Sequence, residues 1–421
     1  MFTLNTEVKR HCSGLLGEML DESPIVVIQG ARQVGKSTLA RQVTERCDAW
    51  SVSLDDTDVA ALARSDPRGF VGQAPGRLLV LDEAQREPTL MLALKMEVDR
   101  NRRPGQFLIT GSADFLRLKT TGDSLAGRAE ILTLRPLSMG ELQQRRTPED
   151  WVSWILAGAP GRIQAESPEA TRECIISGGY PLALSRRTPA SRQRWFNGYL
   201  QSIVTKDAEE LSGGDFPGKL PQLLRLLAAE GVSEYVAAKM ARHLGVSEKT
   251  LGGYFDLAHA MYLVEALPAW GVGISKRVIR RPKVSLVDSG LAAVSVGMTV
   301  EKSRLVGGME YFGALTEQFV AGELRKQREW TASPFDLYHY RHRDQEVDIV
   351  IELPDGRLIL VEVKSGLSVP KGTFAKLEQL IPGDRVVARV VLYLGEQSLK
   401  IAPGNYLLPI SSLWTHPDSA S

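Results

Sequence analysis

The eight residues GARQVGKS at positions 30–37 constrain this chain more than any other feature of its sequence. They follow an apolar run at 25–28 and precede a segment with a helical pattern at 36–47. In such a loop, glycines let the backbone wrap around phosphate oxygens, and the N-terminus of the next helix adds positive potential. We therefore predict a nucleoside triphosphate site in which Lys36 reaches the β- and γ-phosphates and the Ser37 hydroxyl is a ligand of Mg²⁺. The residues expected to contact the nucleotide are Gly30, Ala31, Arg32, Gln33, Val34, Gly35, Lys36, Ser37 and Thr38.

A second pattern supplies the acids that such a site needs. Residues 78–81 are four consecutive apolar residues, as expected for a buried strand, and Asp82 and Glu83 follow them directly. Asp82 is predicted to hold the Mg²⁺ shell, and Glu83 is predicted to be the general base that polarises the attacking water. A polar side chain at the end of the next strand would orient that water, with Ser112 as the preferred residue and Thr110 as the second choice.

The spacing of further strand-like runs predicts the fold class of this first region. These runs occupy residues 50–54, 78–81, 107–110 and 131–134, and the segments between them are long enough for crossover helices. This order is typical of an α/β fold in which a parallel sheet carries helices on both faces.

Composition excludes several classes of protein. A net charge of +1 provides no global field toward nucleic acid, so any such binding must come from local patches. The three cysteines fit neither a metal spacing nor a disulfide framework, which suits a reducing compartment. No apolar run approaches the length of a membrane span, and residues 1–20 are charged where a signal peptide needs apolar residues. We therefore expect a cytoplasmic location and no membrane partner.

The sequence pattern predicts helices in the middle of the chain, with two interruptions. The sequence SGGYP at 177–181 indicates a hinge or a turn, and GGDFPG at 213–218 indicates a linker. Residues 236–243 and 248–259 then form a helix-turn-helix pattern with Ser247 as the N-cap of the second helix. Such a unit can read DNA. The alternative is a packing or protein-contact role, because the second helix has mixed charge where insertion into a groove favours Arg, Lys, Asn or Gln.

The C-terminal region carries acids in a pattern that suits a metal. The α/β patterning resumes at 281–291, which places a domain boundary near Ile274. Beyond it, Asp348 lies in an alternating run, Glu362 and Lys364 share one face of a strand, and Glu317 lies on an amphipathic segment. The two strand acids can hold Mg²⁺, the lysine can position or deprotonate water, and the helix acid can complete the shell. That set is what metal-dependent hydrolysis of a phosphodiester requires.

The run YHYRHR at 338–343 interleaves aromatic and basic residues. A strand that binds a nucleic-acid backbone has this composition. The alternative is an exposed strand whose arginines extend their charged ends into water.

In their order along the chain, the N-terminal motifs resemble those of a widespread prokaryotic group of ATPases of the AAA superfamily. They are 30–37, 78–83 and 108–112, followed by SLAGR at 124–128 and LRPLS at 134–138 with Glu141. The resemblance implies that an arginine after the polar strand touches the γ-phosphate, in cis or from a neighbouring subunit, and Arg128 occupies that stretch. It also implies that the helical region after residue 139 packs against the ATPase core.

The C-terminal pattern resembles the restriction-endonuclease-like fold, which these ATPases commonly carry at their C-terminus. Carried over by position, Asp348 and Glu362 would be metal ligands, Lys364 the catalytic lysine and Glu317 the helix acid. Many members of that fold bind without cleaving, so binding without nuclease activity stays open as an alternative.

These expectations divide the chain into four domains. They are an AAA-type P-loop NTPase core with an N-terminal helix at 1–140, a helical lid at 141–215, a winged helix-turn-helix at 216–273 and a restriction-endonuclease-like α/β domain at 274–421. The expected function is ATP binding and Mg²⁺-dependent hydrolysis by a protein whose C-terminal domain engages DNA or RNA. The alternative is an ATP-controlled switch that binds nucleic acid or protein without nuclease activity. The habit of the superfamily also implies a homo-oligomer or a protein partner.

Overall fold

The computed structural model describes residues 7–45, 47–112, 125–203, 218–271, 281–343, 345–381 and 385–417. The chain divides into two compact units. The N-terminal unit comprises residues 7–137 and 259–262, and the C-terminal unit comprises residues 138–258 and the chain from 263 onward.

A sheet of five parallel strands forms the centre of the N-terminal unit. The strands are β1 (Ile25–Gln29), β2 (Ala49–Ser53), β3 (Leu78–Asp82), β4 (Phe107–Gly111) and β5 (Ala129–Thr133), in the order β2-β3-β4-β1-β5. The helices of this unit are Ser13–Glu22, Lys36–Thr44, Thr57–Ser65, Pro67–Val71 and Leu90–Arg100, with a 3₁₀ turn at Ala84–Arg86. Every residue of β1 and β4 is buried, because a parallel sheet is covered on both faces. The predicted P-loop NTPase core of α/β class is thereby confirmed.

The C-terminal unit contains most of the helices. They are Met139–Leu142, Trp151–Leu156, Pro168–Ser177, Pro181–Leu184, Pro189–Ser202, Leu220–Glu230, Ala237–Leu244, Glu248–Ala260, Ser289–Ser295, Val306–Gln327, Thr373–Leu380 and Ser412–Thr415. Several begin with proline, whose fixed φ suits the first helical position and whose missing N–H would have no partner there. None of the helices in the described part of the chain has both the length and the apolar character that crossing a membrane takes.

The predicted helix-turn-helix residues form two helices, Ala237–Leu244 and Glu248–Ala260. In the turn, Gly245 has a φ of 62°, and Ser247 Oγ accepts a hydrogen bond from the backbone N–H of Thr250 at 3.1 Å. A small antiparallel sheet accompanies them, with β6 (Ser233–Glu234), β7 (Val264–Leu267) and β8 (Lys283–Leu286) in the order β6-β8-β7. The name winged helix stays a prediction.

The pairing of β8 bears on the predicted domain division. Ile274 lies outside the described residues, as does the predicted linker at 213–218 except for Gly218. A boundary at 274 assigns residues 283–286 to the C-terminal domain, whereas β8 pairs with β6 and β7. The strand therefore belongs to the small sheet. A buried apolar strand gives no sign in its own sequence of which sheet it will join.

A separate mixed sheet of six strands forms the rest of the C-terminal unit. Its strands are β9 (Asp336–His342), β10 (Gln345–Glu352), β11 (Leu358–Lys364), β12 (Val386–Tyr393), β13 (Leu399–Ala402) and β14 (Asn405–Pro409), in the order β13-β14-β12-β11-β10-β9. β12 runs parallel to both β11 and β14, and the other pairs are antiparallel. An α/β C-terminal region is confirmed, and its likeness to restriction endonucleases stays a prediction.

The SGGYP sequence forms a tight turn that is held by a buried carboxylate from far along the chain. Asp288 Oδ2 accepts a hydrogen bond from the N–H of Gly179 at 2.7 Å, and its Oδ1 accepts one from the N–H of Leu291 at 2.9 Å. Gly178 has a φ of 67°, and a Cβ there would lie 2.2 Å from Asp288 Oδ1. Only glycine combines that φ with such a close approach.

Candidate functional site

The loop between β1 and the helix Lys36–Thr44 has the closed geometry of a phosphate cradle. Gly30 has a φ of 146°, and a Cβ there would lie 2.2 Å from the carbonyl oxygen of Leu134, so no side chain fits. Lys36 is 5% exposed, and its Nζ donates to the carbonyl oxygens of Gly30 and Ala31 at 3.0 Å each. The ammonium group therefore lies inside the loop, next to the backbone that would surround a phosphate.

An arginine braces this loop from behind. Arg10 is buried, and it donates from Nη1 to the carbonyl oxygen of Val34 at 2.9 Å and from Nη2 to that of Arg135 at 2.8 Å. No sequence pattern marks this residue, since a single arginine ahead of a helix looks like any solvated charge.

The predicted magnesium ligands are in contact at the carboxyl edge of the sheet. Ser37 Oγ donates to Asp82 Oδ1 at 2.8 Å, and the buried Thr110 hydroxyl donates to the same oxygen. The β3–β4 register carries Asp82 and Thr110 to neighbouring positions, one step beyond the paired Leu81 and Ile109. A hydroxyl and a carboxylate beside a phosphate loop are oxygen ligands of the kind that Mg²⁺ takes together with nucleotide phosphates, so these residues fit that ion.

The predicted base and the predicted water-orienting serine are joined by a glutamine. Gln85 Nε2 donates to Glu83 Oε2 and to Ser112 Oγ, the latter at 3.0 Å. Glu83 has a φ of 57°, and its N–H donates to Thr110 Oγ1 at 3.2 Å, which fixes the backbone of the acid. The side-chain amide of Gln85 must point its N–H group at the Glu83 carboxylate, because the opposite orientation would place two acceptor oxygens next to each other. The other end of the amide, Gln85 Oε1, is buried without a hydrogen-bond partner among the described residues.

The structure places Arg128 far from the phosphate loop of its own chain. The residue directly precedes β5, whose Ala129 pairs with Ile25 and whose Thr133 pairs with Gln29. The loop follows Gln29, so the length of a strand, roughly 16 Å, separates it from Arg128. The guanidinium instead forms a two-bond ion pair with Asp99, with Nε–Oδ1 at 2.6 Å and Nη2–Oδ2 at 3.0 Å. Contact with the γ-phosphate in cis is therefore wrong for this fold, and a role in a neighbouring subunit stays a prediction.

The four residues predicted for the C-terminal site lie close together. Asp348 on β10 and Glu362 on β11 are one position beyond the paired Ile349 and Val361. Asp348 Oδ2 accepts the N–H of Val363 at 2.7 Å, and Lys364 Nζ lies 2.6 Å from Glu362 Oε1.

Two further charged residues, which the sequence analysis missed, complete this cluster. Lys283 on β8 is 3% exposed, and its Nζ lies 2.7 Å from Glu317 Oε1 and 2.7 Å from Glu346 Oε1. The acidic cluster is defined here as Glu317, Glu346, Asp348 and Glu362 with the two lysines, Lys283 and Lys364. No local pattern links Lys283 to these acids, because the fold alone brings β8 beside the helix that carries Glu317.

Burial shifts the pKa values of the acidic cluster. Burial and the charge of Asp348 raise the pKa of Glu317 to about 8, against the pull of Lys283. Burial and the charge of Glu362 likewise raise the pKa of Asp348 to about 6. Burial alone would lower the pKa of Lys283, but the surrounding carboxylates outweigh it and raise that pKa. Both lysines therefore stay protonated, whereas Glu317 keeps its own proton up to a pH near 8.

The acidic cluster does not have the arrangement of a metal site. Among the described residues, no group of three or more His, Cys, Asp or Glu side chains is placed to hold a metal ion. Glu317 and Glu362 each bind a lysine ammonium, and Asp348 binds a backbone N–H. The predicted metal ligands Glu317, Asp348 and Glu362 thus meet, with lysine contacts to the two glutamates and a backbone contact to Asp348.

The aromatic residues of the YHYRHR run face the protein. Tyr338 and Tyr340 pack against the buried cluster that contains Trp270 and Val350, and His339 is buried with Nε2 3.1 Å from the carbonyl oxygen of Arg281. The strand therefore does not offer these rings as a stacking platform for bases.

Comparisons with known proteins find a family model, two relatives and a solved structure that are similar to this chain. A family model described as an AAA domain matches residues 22–143. Uncharacterized proteins of Mycobacterium bovis and Mycobacterium tuberculosis are 27% identical over 409 residues, which is 97% of this chain and 85% of theirs. A solved structure, the Walker-type ATPase PABY2304 of Pyrococcus abyssi, is similar at 15% identity and a TM-score of 0.43, over 68% of this chain and 94% of that one.

The rest of the chain matches families without a described function. Domains of unknown function DUF8612 and DUF4143 match residues 168–302 and 312–413. The AAA match spans the whole of the phosphate loop, the acid pair and the polar strand described above. The chain is therefore an AAA-superfamily ATP-binding protein that carries two domains of unknown function behind its AAA domain.

Proposed function

We propose that the chain hydrolyses ATP at the carboxyl edge of the five-stranded sheet. The observation that carries this proposal is the continuous hydrogen-bonded set at that edge, in which Gln85 connects Glu83 to Ser112 while Thr110 fixes Asp82. A site that only bound nucleotide would need the loop and a magnesium ligand, but no held base beside a hydroxyl.

Each residue has one task in this proposal. Lys36 would exchange its two carbonyl contacts for phosphate oxygens, and Ser37 and Asp82 would hold Mg²⁺, which would supply charge to neutralise the phosphates. Glu83 accepts the proton of a water molecule whose oxygen attacks the γ-phosphorus, and the bond from that phosphorus to the β–γ bridging oxygen breaks. Ser112 and Gln85 orient the water and the base.

Phosphate release from ATP by the purified chain, with Mg²⁺ and with EDTA, tests the proposal directly. We expect turnover that requires the metal and that Ser37→Ala reduces. ATP that binds with no phosphate released over hours would contradict hydrolysis and leave a nucleotide-binding switch.

Gln85→Ala is expected to lower kcat for ATP by about tenfold or more while KM changes little, because the glutamine positions the base rather than the phosphates. Steady-state phosphate release over a range of ATP concentrations separates the two parameters. Gln73→Ala, at an exposed glutamine of the same unit, is the matched control and should match the wild type. A rise in KM at unchanged kcat would mean that Gln85 only shapes the binding site.

We further propose that the C-terminal domain acts without cleaving nucleic acid. This second proposal rests on the acidic cluster, where lysine ammonium groups bind Glu317 and Glu362, two of the three carboxylates predicted as metal ligands. Binding of DNA, RNA or a protein partner by this domain stays a prediction, as does homo-oligomer formation.

Plasmid DNA and labelled DNA and RNA oligonucleotides should survive incubation with the purified chain in Mg²⁺ or Mn²⁺, with and without ATP. Gel analysis over several hours measures this, with the Asp348→Ala variant run in parallel. Cleavage by the wild-type chain that disappears in Asp348→Ala would overturn the proposal and restore the nuclease prediction. Cleavage that survives in Asp348→Ala would indicate a contaminating nuclease.

A further inference from the structure

The C-terminal unit contains a cavity of about 420 Å³, and none of its lining residues belongs to the acidic cluster. It lies among the helices Pro168–Ser177 and Pro189–Ser202 and the segment 294–302. Most of its walls are aliphatic and include Ile176, Leu184, Val294, Met298 and Val300. A cavity of this size and character suits a small organic molecule.

One buried cation lines this cavity. Arg192 is 9% exposed, and its Nη1 donates to Ser177 Oγ at 2.6 Å. Its Nε is buried without a hydrogen-bond partner, and no carboxylate of a described residue forms an ion pair with the guanidinium. The charged guanidinium of Arg192 thus donates its hydrogen bond to a neutral hydroxyl, that of Ser177.

Such an arrangement is costly for the folded chain on its own. Removal of a charge from water is offset only when a counter-ion and hydrogen bonds replace the water. Burial lowers the pKa of Arg192, and the charge of Glu173, another cavity residue, opposes that only in part. The hydroxyl of Ser177 accepts from Arg192 and still has its own O–H to donate. The guanidinium and this hydroxyl therefore form a pair of donors beside an apolar cavity.

We propose that this cavity binds a small monocarboxylate with an aliphatic tail. The carboxylate binds Arg192 and Ser177, and the tail packs among the aliphatic walls. Guanidinium donors suit a planar carboxylate, and carboxylate binding supplies the ion pair that no described residue forms with Arg192. Glu173, Glu301 and the exposed Lys302 also line the cavity, and the two acids disfavour a dianionic phosphate ester more than a monoanion.

The test uses sodium decanoate as the probe, with the full chain, below the concentration at which decanoate forms micelles. Isothermal titration is expected to give saturable binding of one decanoate per chain, with weaker binding of hexanoate. Decanol and decyl phosphate should each bind at least tenfold more weakly than decanoate. Equal binding of decanol would overturn the proposal, because the carboxylate would then make no contribution.

Two variants test the residue assignment. Arg192→Leu should weaken decanoate binding at least tenfold without lowering the melting temperature of the unliganded chain, since it removes a buried charge that Glu173 compensates only in part. Arg194→Leu, at an exposed arginine of the same helix, is the matched control and should bind like the wild type. A marked fall in melting temperature for Arg192→Leu would show that the protein itself satisfies Arg192, and this would overturn the proposal.

Met298→Trp fills the cavity without touching the guanidinium. It should also abolish decanoate binding, and it keeps the proposal testable if Arg192→Leu does not fold. Decanoate binding that survives both Met298→Trp and Arg192→Leu would place the ligand elsewhere on the chain.

Discussion

Glu83→Gln is expected to bind ATP as the wild type does while its turnover falls about 100-fold or more. The amide keeps the size of the side chain and leaves the phosphate loop untouched, but it cannot accept a proton from water. The backbone of residue 83 stays fixed through its N–H bond to Thr110, so the substitution removes the base alone. Calorimetric titration with ATP and phosphate release from the same preparation measure the two properties.

Lys36→Ala is expected to lose ATP affinity, which Glu83→Gln keeps. The ammonium lies inside the loop, so its removal should weaken ATP binding by about 100-fold. Lys9→Ala, at an exposed lysine of the same unit, controls for the loss of one positive charge and should bind like the wild type. Unchanged ATP affinity in Lys36→Ala would mean that this loop does not hold the phosphates, whatever the outcome for Glu83.

The opposite behaviour of these two variants can be predicted from the sequence, because Lys36 and Glu83 each lie in a short local motif. A glycine loop and an acid pair each follow an apolar strand, and strand direction alone brings them to one edge of a parallel sheet. The same reasoning, applied to Arg128, would have excluded contact with the phosphate in cis. A residue that precedes a parallel strand lies at the opposite edge from the loop.

Other parts of the two sites depend on packing that no short pattern encodes. Gln85 reaches Ser112 because a 3₁₀ turn redirects the chain after Glu83. Lys283 contacts the acidic cluster although β8 belongs to a different sheet from the acids on β10 and β11, so no pattern within one sheet predicts the contact. The metal site stays a prediction, and Lys283 bears on it because its ammonium group binds Glu317, one of the predicted ligands. Tyr338 and Tyr340 could not be assigned from the sequence for a related reason. Aromatic residues at alternate positions fit a strand that faces the core as well as one that binds nucleic acid.

Asp288→Ala is expected to cost about 3 kcal/mol or more of the free energy of unfolding, the largest stability effect that we predict. The carboxylate is buried, and it is the acceptor for the N–H groups of Gly179 and Leu291. Alanine would leave both donors buried without an acceptor, next to a cavity the size of the lost carboxyl group. Urea denaturation followed by circular dichroism measures the change.

Two other variants separate the hydrogen bonds of Asp288 from the space that it fills. Asp288→Asn keeps the shape and one acceptor, so it should lose less than Asp288→Ala, and Asp355→Ala, at an exposed turn, should lose less than about 1 kcal/mol. If Asn proved as damaging as Ala, the negative charge itself would be required. If both Asp288 variants unfolded at the urea concentration of the wild type, the turn at Gly178 would have to be held by other contacts. The close approach of that glycine to the carboxylate argues against this outcome, because Gly178 has a φ of 67° and packs directly against Asp288.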